Sequence, residues 1–153
     1  MPRPSHRLDL CVVPAEPDHP VLPDAVRALV AAWRAAPPAG ARHVRVDLPG
    51  EPTLYANQLG GFRVACPVRG ENIVPAFGRA MGAWRRGGAR SLECPACGGS
   101  HALEALAFTP AAAFAQGGVV LGDVETSTIE SGDLETAARI LACPVRVVGR
   151  RVS

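Results

Sequence analysis

Three times along this chain a stretch with strand periodicity gives way to a helical stretch and then to another strand. That alternation limits the folds open to it more than any other feature. In the first unit, residues 8–13 read as a strand, and a loop with four prolines follows over 14–23. Asp24 is a fitting N-cap for a helix over 25–36, whose stripe Val26, Leu29, Val30 and Trp33 has the spacing of one helical face. Pro37-Pro38 stops this helix, and residues 43–48 alternate as a half-buried strand does. In the second unit, 62–68 is a strand and Gly70-Glu71-Asn72 turns the chain. A helix then runs from near Pro75 to about residue 86 on the stripe Phe77, Ala80, Met81 and Trp84. Gly87-Gly88 ends it, and 91–94 forms a short strand. In the third unit, 119–124 is a strand, Gly132-Asp133 opens a helix to about 142, and 145–148 closes the chain.

These units, over about 7–48, 62–97 and 118–151, predict an α/β fold, with α+β as the variant: a mixed β-sheet with helices packed on it. With 153 residues, the chain suits a single domain over 1–153. A ferredoxin-like pair of units plus a third, or an open α/β sheet, both satisfy the pattern. The first two units also look like copies. Setting Trp33 against Trp84 aligns Ala-Trp-Arg with Ala-Trp-Arg, and each helix precedes a Gly-Ala-Arg, at 40–42 and 88–90.

Composition excludes more than it identifies. The hydrophobic fraction of 48% is that of a globular chain. The longest apolar run is far shorter than the roughly 18 residues that span a bilayer, so no membrane association is expected. The first residues lead into a strand-like run instead of a signal-peptide core, so a cytoplasmic location is expected. All 16 basic residues are Arg, spread along the chain, and the net charge is only +2. Such a balance exerts no strong pull on nucleic acid. The five cysteines, at 11, 66, 94, 97 and 143, are an odd number, which argues against a disulfide framework.

The chemically legible feature is Cys94-Pro95-Ala96-Cys97-Gly98. Two thiolates on one tight turn can reach a single tetrahedral metal, and the Gly permits the positive φ that aims backbone N–H groups at sulfur. This sequence resembles the knuckle of zinc ribbons and rubredoxins. The resemblance implies zinc, and structural zinc takes four ligands. His101 is the nearest further candidate and Cys66 the best of the rest, with Cys143, Cys11 and His43 behind them. Cys94-Pro-Ala-Cys97 is also similar to the glutaredoxin dithiol, but Gly98-Gly99-Ser100 follow it where that family has a helix.

No phosphate-binding loop, nucleophile elbow or zinc-protease helix motif occurs. The sequence therefore predicts a non-enzymatic binding or regulatory domain. A structural zinc would be held by Cys94, Cys97, His101 and Cys66, and a protein is the expected partner. A thiol–disulfide or metal-dependent enzyme acting through Cys94 and Cys97 is the alternative, and a nucleic-acid binder the third reading. Asp123 and Glu125, at the end of a strand, are a lesser candidate for a cation. Arg85, Arg86 and Arg90, with Arg146, Arg150 and Arg151, are candidates for holding an anion.

Overall fold

The alternation of β1 (Arg7–Pro14) divides its side chains between two faces. Leu8, Leu10 and Val12 pack with the helices, while Cys11 and Val13 pack on the opposite side. The computed structural model describes residues 7–57 and 62–152, which form two compact units. The first takes in the chain up to the loop after residue 57 together with residues from 112 onward; the second lies within 62–111.

In the first unit β1 is followed by α1 (Pro23–Ala35) and β2 (His43–Asp47). Pro23 takes the first helical position, so Asp24 sits inside the first turn and not at the cap. The short strand β3 (Thr53–Tyr55) completes the first part of this unit.

The second unit holds β4 (Arg63–Ala65), α2 (Val74–Arg85), β5 (Ser91–Glu93), β6 (Ser100–Ala102) and β7 (Ala107–Thr109). The chain then returns to the first unit through β8 (Ala113–Ala115), β9 (Gly118–Gly122), α3 (Ser131–Leu141) and β10 (Val145–Val152). The three strand–helix–strand units of the sequence are thus β1-α1-β2, β4-α2-β5 and β9-α3-β10.

The main sheet has the order β10-β1-β9-β2, and each neighbouring pair is antiparallel. The mixed sheet expected from the sequence is corrected here. The parallel partners β1 and β2 do not touch, because β9 lies between them in the opposite sense. This is the split βαβ order of a ferredoxin-like fold, made from the first and third units. α1 and α3 pack together on one face, where Val26, Leu29, Val30 and Trp33 meet Leu10, Val12, Val119 and Leu121. The fully buried aliphatic side chains among them each contribute about 1.5–3 kcal/mol of transfer free energy. On the other face, the β3–β8 pair brings Tyr55, Ala113 and Ala115 over Cys11, Val13, Val120 and Val148.

The second unit pairs β4 with β7 and β5 with β6. α2 contributes Ala76, Phe77 and Met81 to its interior; Phe77 meets Phe62 and Phe108 edge-on, and those two rings are tilted against each other. The likeness between the first two units does not extend to their surroundings. Trp33 is 2% exposed in the core. Trp84 is half-buried beneath the Arg90 guanidinium, 5.9 Å from the ring centre. β2 pairs with β9 across the main sheet, whereas β5 pairs with its own neighbour β6.

Candidate metal centre

Two turns of the second unit follow the same backbone course, 28 residues apart in sequence. The first holds residues 66–71 and is closed by the bridge Ala65↔Asn72; the second holds 94–99 and is closed by Glu93↔Ser100. In the first, the Gly70 N–H donates to the Cys66 carbonyl at 2.8 Å and the Cys66 N–H to the Glu71 carbonyl at 2.8 Å. In the second, the Gly98 N–H donates to the Cys94 carbonyl at 2.8 Å and the Cys94 N–H to the Gly99 carbonyl at 2.7 Å. Both glycines are left-handed, with φ of 72° and 75°. No atom stands within 4 Å of where their side chains would begin, so the requirement for Gly is conformational and not steric.

The local sequence explains the likeness. Both turns read Cys-Pro-x-x-Gly: Cys66-Pro67-Val68-Arg69-Gly70 and Cys94-Pro95-Ala96-Cys97-Gly98. Proline fixes φ just after the cysteine, and glycine supplies the left-handed exit. Backbone amides then point at sulfur. The Arg69 N–H reaches Cys66 Sγ at 3.4 Å, and the Gly99 N–H reaches Cys97 Sγ at 3.4 Å. The fourth donor comes from β6, where His101 stands opposite Leu92. Its counterpart beside the first turn is Ile73, which is buried and bonds through its N–H to the Val64 carbonyl.

Cys66, Cys94, Cys97 and His101 converge, with their ligand atoms all within 4.8 Å of one another. Cys97 Sγ and His101 Nε2 are 3.2 Å apart. A zinc ion with bonds of about 2.3 Å to sulfur and 2.0 Å to nitrogen has tetrahedral edges of about 3.5–3.8 Å. The cluster therefore lies within small side-chain adjustments of that shape, and these four residues could hold a metal ion. All five cysteines are free thiols.

The electrostatics of the cluster are those of thiols crowded together. Burial pushes the Cys66 thiol up, but the amides of Arg69 and Val68 and the neighbouring Cys94 and Cys97 thiols outweigh it and hold Cys66 below its ordinary value. At Cys97 the Gly99 amide favours the thiolate, yet burial and the Cys94 and Cys66 sulfurs together push it up. One thiolate makes the next harder to form. A divalent cation removes that conflict by pairing with several at once.

The four residues chosen from the sequence are the four brought together. Cys66 follows β4, which pairs with β7 and not with β5, so the two turns themselves present the sulfurs. Cys11, Cys143 and His43 belong to the other unit. Asp123 pairs there with Arg42 at 3.5 Å. The first turn was the part sequence reasoning missed. Its signal was Cys-Pro-x-x-Gly repeated at 66–70, hidden because Arg69 stands where a second cysteine would have completed the motif.

No family model matches the chain, and neither the curated proteins nor the solved structures compared with it give a match. No helix among the described residues is long and apolar enough to cross a membrane.

Proposed function

We propose that Cys66, Cys94, Cys97 and His101 hold one zinc ion as a structural brace, and that the protein is a non-enzymatic binding or regulatory domain with a protein partner. The convergence of four soft or borderline donors from two turns and a strand carries this reading. Three sulfurs and one imidazole fill a tetrahedral shell, with no position left for water or substrate, as in structural and not catalytic zinc sites. Cys66 and Cys94 are buried, so the shell is also poorly placed for turnover. The metal would fix the first turn, whose tip presents Val68, 71% exposed, beside Arg69. An exposed aliphatic group on a rigid turn suits contact with another protein.

Elemental analysis of reduced protein purified without a histidine tag tests the brace. About one zinc per chain is expected, with less than a tenth of that in Cys66→Ser and Cys97→Ser. Metal-free wild-type protein that keeps the fold of the second unit would overturn it.

Charge distribution favours a nucleic acid as a second candidate partner. Residues 62–111 carry six Arg against three Glu, while the rest of the chain carries ten Arg against eleven Asp and Glu. Binding that weakens steeply with salt would support that reading. The dithiol enzyme has less behind it: Cys94 opens a hairpin turn, not a helix N-terminus that would stabilise a reactive thiolate.

A further inference from the structure

In the first unit, an open cleft of about 530 Å³ is lined by Arg34, Pro37, Arg42, His43, Val44 and Arg45. It runs along β2, an edge strand of the main sheet. Three arginines reach it, and each is anchored by a different acceptor. Arg34, in the last turn of α1, donates from Nε to the Val44 carbonyl at 3.1 Å. Arg42 pairs through Nε with Asp123 at 3.5 Å. Arg45 pairs through Nη2 with Asp9 Oδ2 at 3.5 Å.

Asp9 is the unusual member. It is 0% exposed, a carboxylate wholly inside the protein. Its Oδ1 accepts the Asp123 N–H at 3.0 Å and lies 3.5 Å from Arg7 Nε, while Oδ2 has no closer partner than Arg45. Arg45 reaches it from β2 by passing over β9 at Gly122, where a side chain would meet His43 Cβ at 3.2 Å and Arg45 Nη1 at 3.7 Å. A buried charge is retained at a cost unless it is paired. Here that pairing holds Arg45, and Asp9 also bonds the backbone of Asp123, the residue that holds Arg42.

We infer that this cleft is a binding site for a phosphate group, with Arg34, Arg42 and Arg45 as the charged ligands, His43 as a neighbouring donor and Asp9 as the residue that positions Arg45. Guanidinium forks fit phosphate oxygens in pairs, and arginines fixed in advance lose little side-chain entropy on binding. Each anchor engages only one nitrogen of its guanidinium in the contacts above, so further N–H donors remain on every fork. The charged residues that line the cleft are all cations, Arg34, Arg42 and Arg45, and of the carboxylates that pair with Arg42 and Arg45, Asp9 is shared with Arg7. No Phe, Tyr or Trp lines the cleft, which favours recognition of the phosphate itself over the stacking of a base.

Calorimetric titration of the full chain with inorganic phosphate and with ribose 5-phosphate, in low-salt chloride buffer, tests the site. Saturable one-to-one binding is expected, with amide shifts at His43 and Val44. Arg42→Gln and Arg34→Gln should each weaken it at least about tenfold, the loss of one charge-assisted contact. Arg42 is 69% exposed, so its variant keeps the fold. Arg27→Gln, on the same helix as Arg34 but outside the cleft, should bind as wild type does. Tighter binding of the ester supports a phosphorylated metabolite as ligand, and tighter binding of the free ion supports phosphate itself. Absence of saturation with both probes up to about 10 mM would overturn the site. So would equal losses in Arg27→Gln and Arg42→Gln. Protein stripped of metal should still bind, which separates this site from the zinc brace.

Discussion

Arg69 stands in its turn where Cys97 stands in the other: third after the cysteine and just before the left-handed glycine. The two turns share both closing hydrogen bonds to within 0.1 Å. The first turn therefore supplies one sulfur and the second two, and His101 provides the fourth donor. His101 in turn occupies the place that apolar Ile73 holds beside the first turn.

This relationship predicts a compensating pair. His101→Ala should leave three ligands and weaken zinc binding by at least about tenfold, since even partners of the ligands commonly cost 10–100-fold. Adding Arg69→Cys in that background should restore binding through four sulfurs. Zinc affinity measured by competition with a chromogenic chelator decides it. A double variant no tighter than His101→Ala would show that the two turns are not equivalent toward the metal.

Thiol counting gives a second check. In the metal-bound protein Cys11 is buried in the first unit, and Cys143 is half-buried with its thiol pushed up by desolvation. Reaction with a thiol reagent near pH 8 should therefore be slow and confined to Cys143. A chelator should release three further thiols, Cys66, Cys94 and Cys97, and denaturant the fifth. Rapid reaction of three or more thiols before chelation would contradict a filled shell.

Removal of the metal should act locally. The first unit has its own core on both faces of the main sheet, built from its own residues. Amide hydrogen exchange should show residues 66–71 and β5–β6 losing protection in chelator, while β1 and β9 keep theirs. Equal loss in both units would mean that the metal supports the whole chain.

Alkaline pH should weaken the first unit through Cys11. Burial, the largest influence, raises this thiol from its ordinary 9.0 to about 11. The folded state therefore holds the proton more tightly than the unfolded one. Stability from this group is complete below pH 9 and is lost as pH rises toward 11, by up to about 1.4 kcal/mol per pH unit. Tyr55 acts in the same direction at still higher pH: burial, and then its hydroxyl's hydrogen bond to Asp47 Oδ2 at 2.5 Å, push its phenol up. Urea midpoints at pH 8 and pH 10.5 should show Cys11→Ala closing the gap to wild type at the higher pH. A gap that stays constant would remove Cys11 as a cause.

Elements with long periodic patterns were legible from the residues alone. The stripe Val26–Leu29–Val30–Trp33 is the buried face of α1, and the alternation of 43–48 is β2. Local chemistry also determined the turn at 94–98, because proline and glycine fix φ without help from distant residues. What lies in short strands was out of reach. β3 and β8 carry no strand signal of their own, because three residues are too few for a period. These strands exist because each pairs with the other across a long sequence separation. Only the tertiary structure placed β9 between β1 and β2, since strand order depends on which apolar faces meet, not on either strand alone. Only it set the Cys66 turn against the Cys94 turn: each sequence fixes its own backbone, but the distance between two sulfurs 28 residues apart is decided by the packing of everything between them.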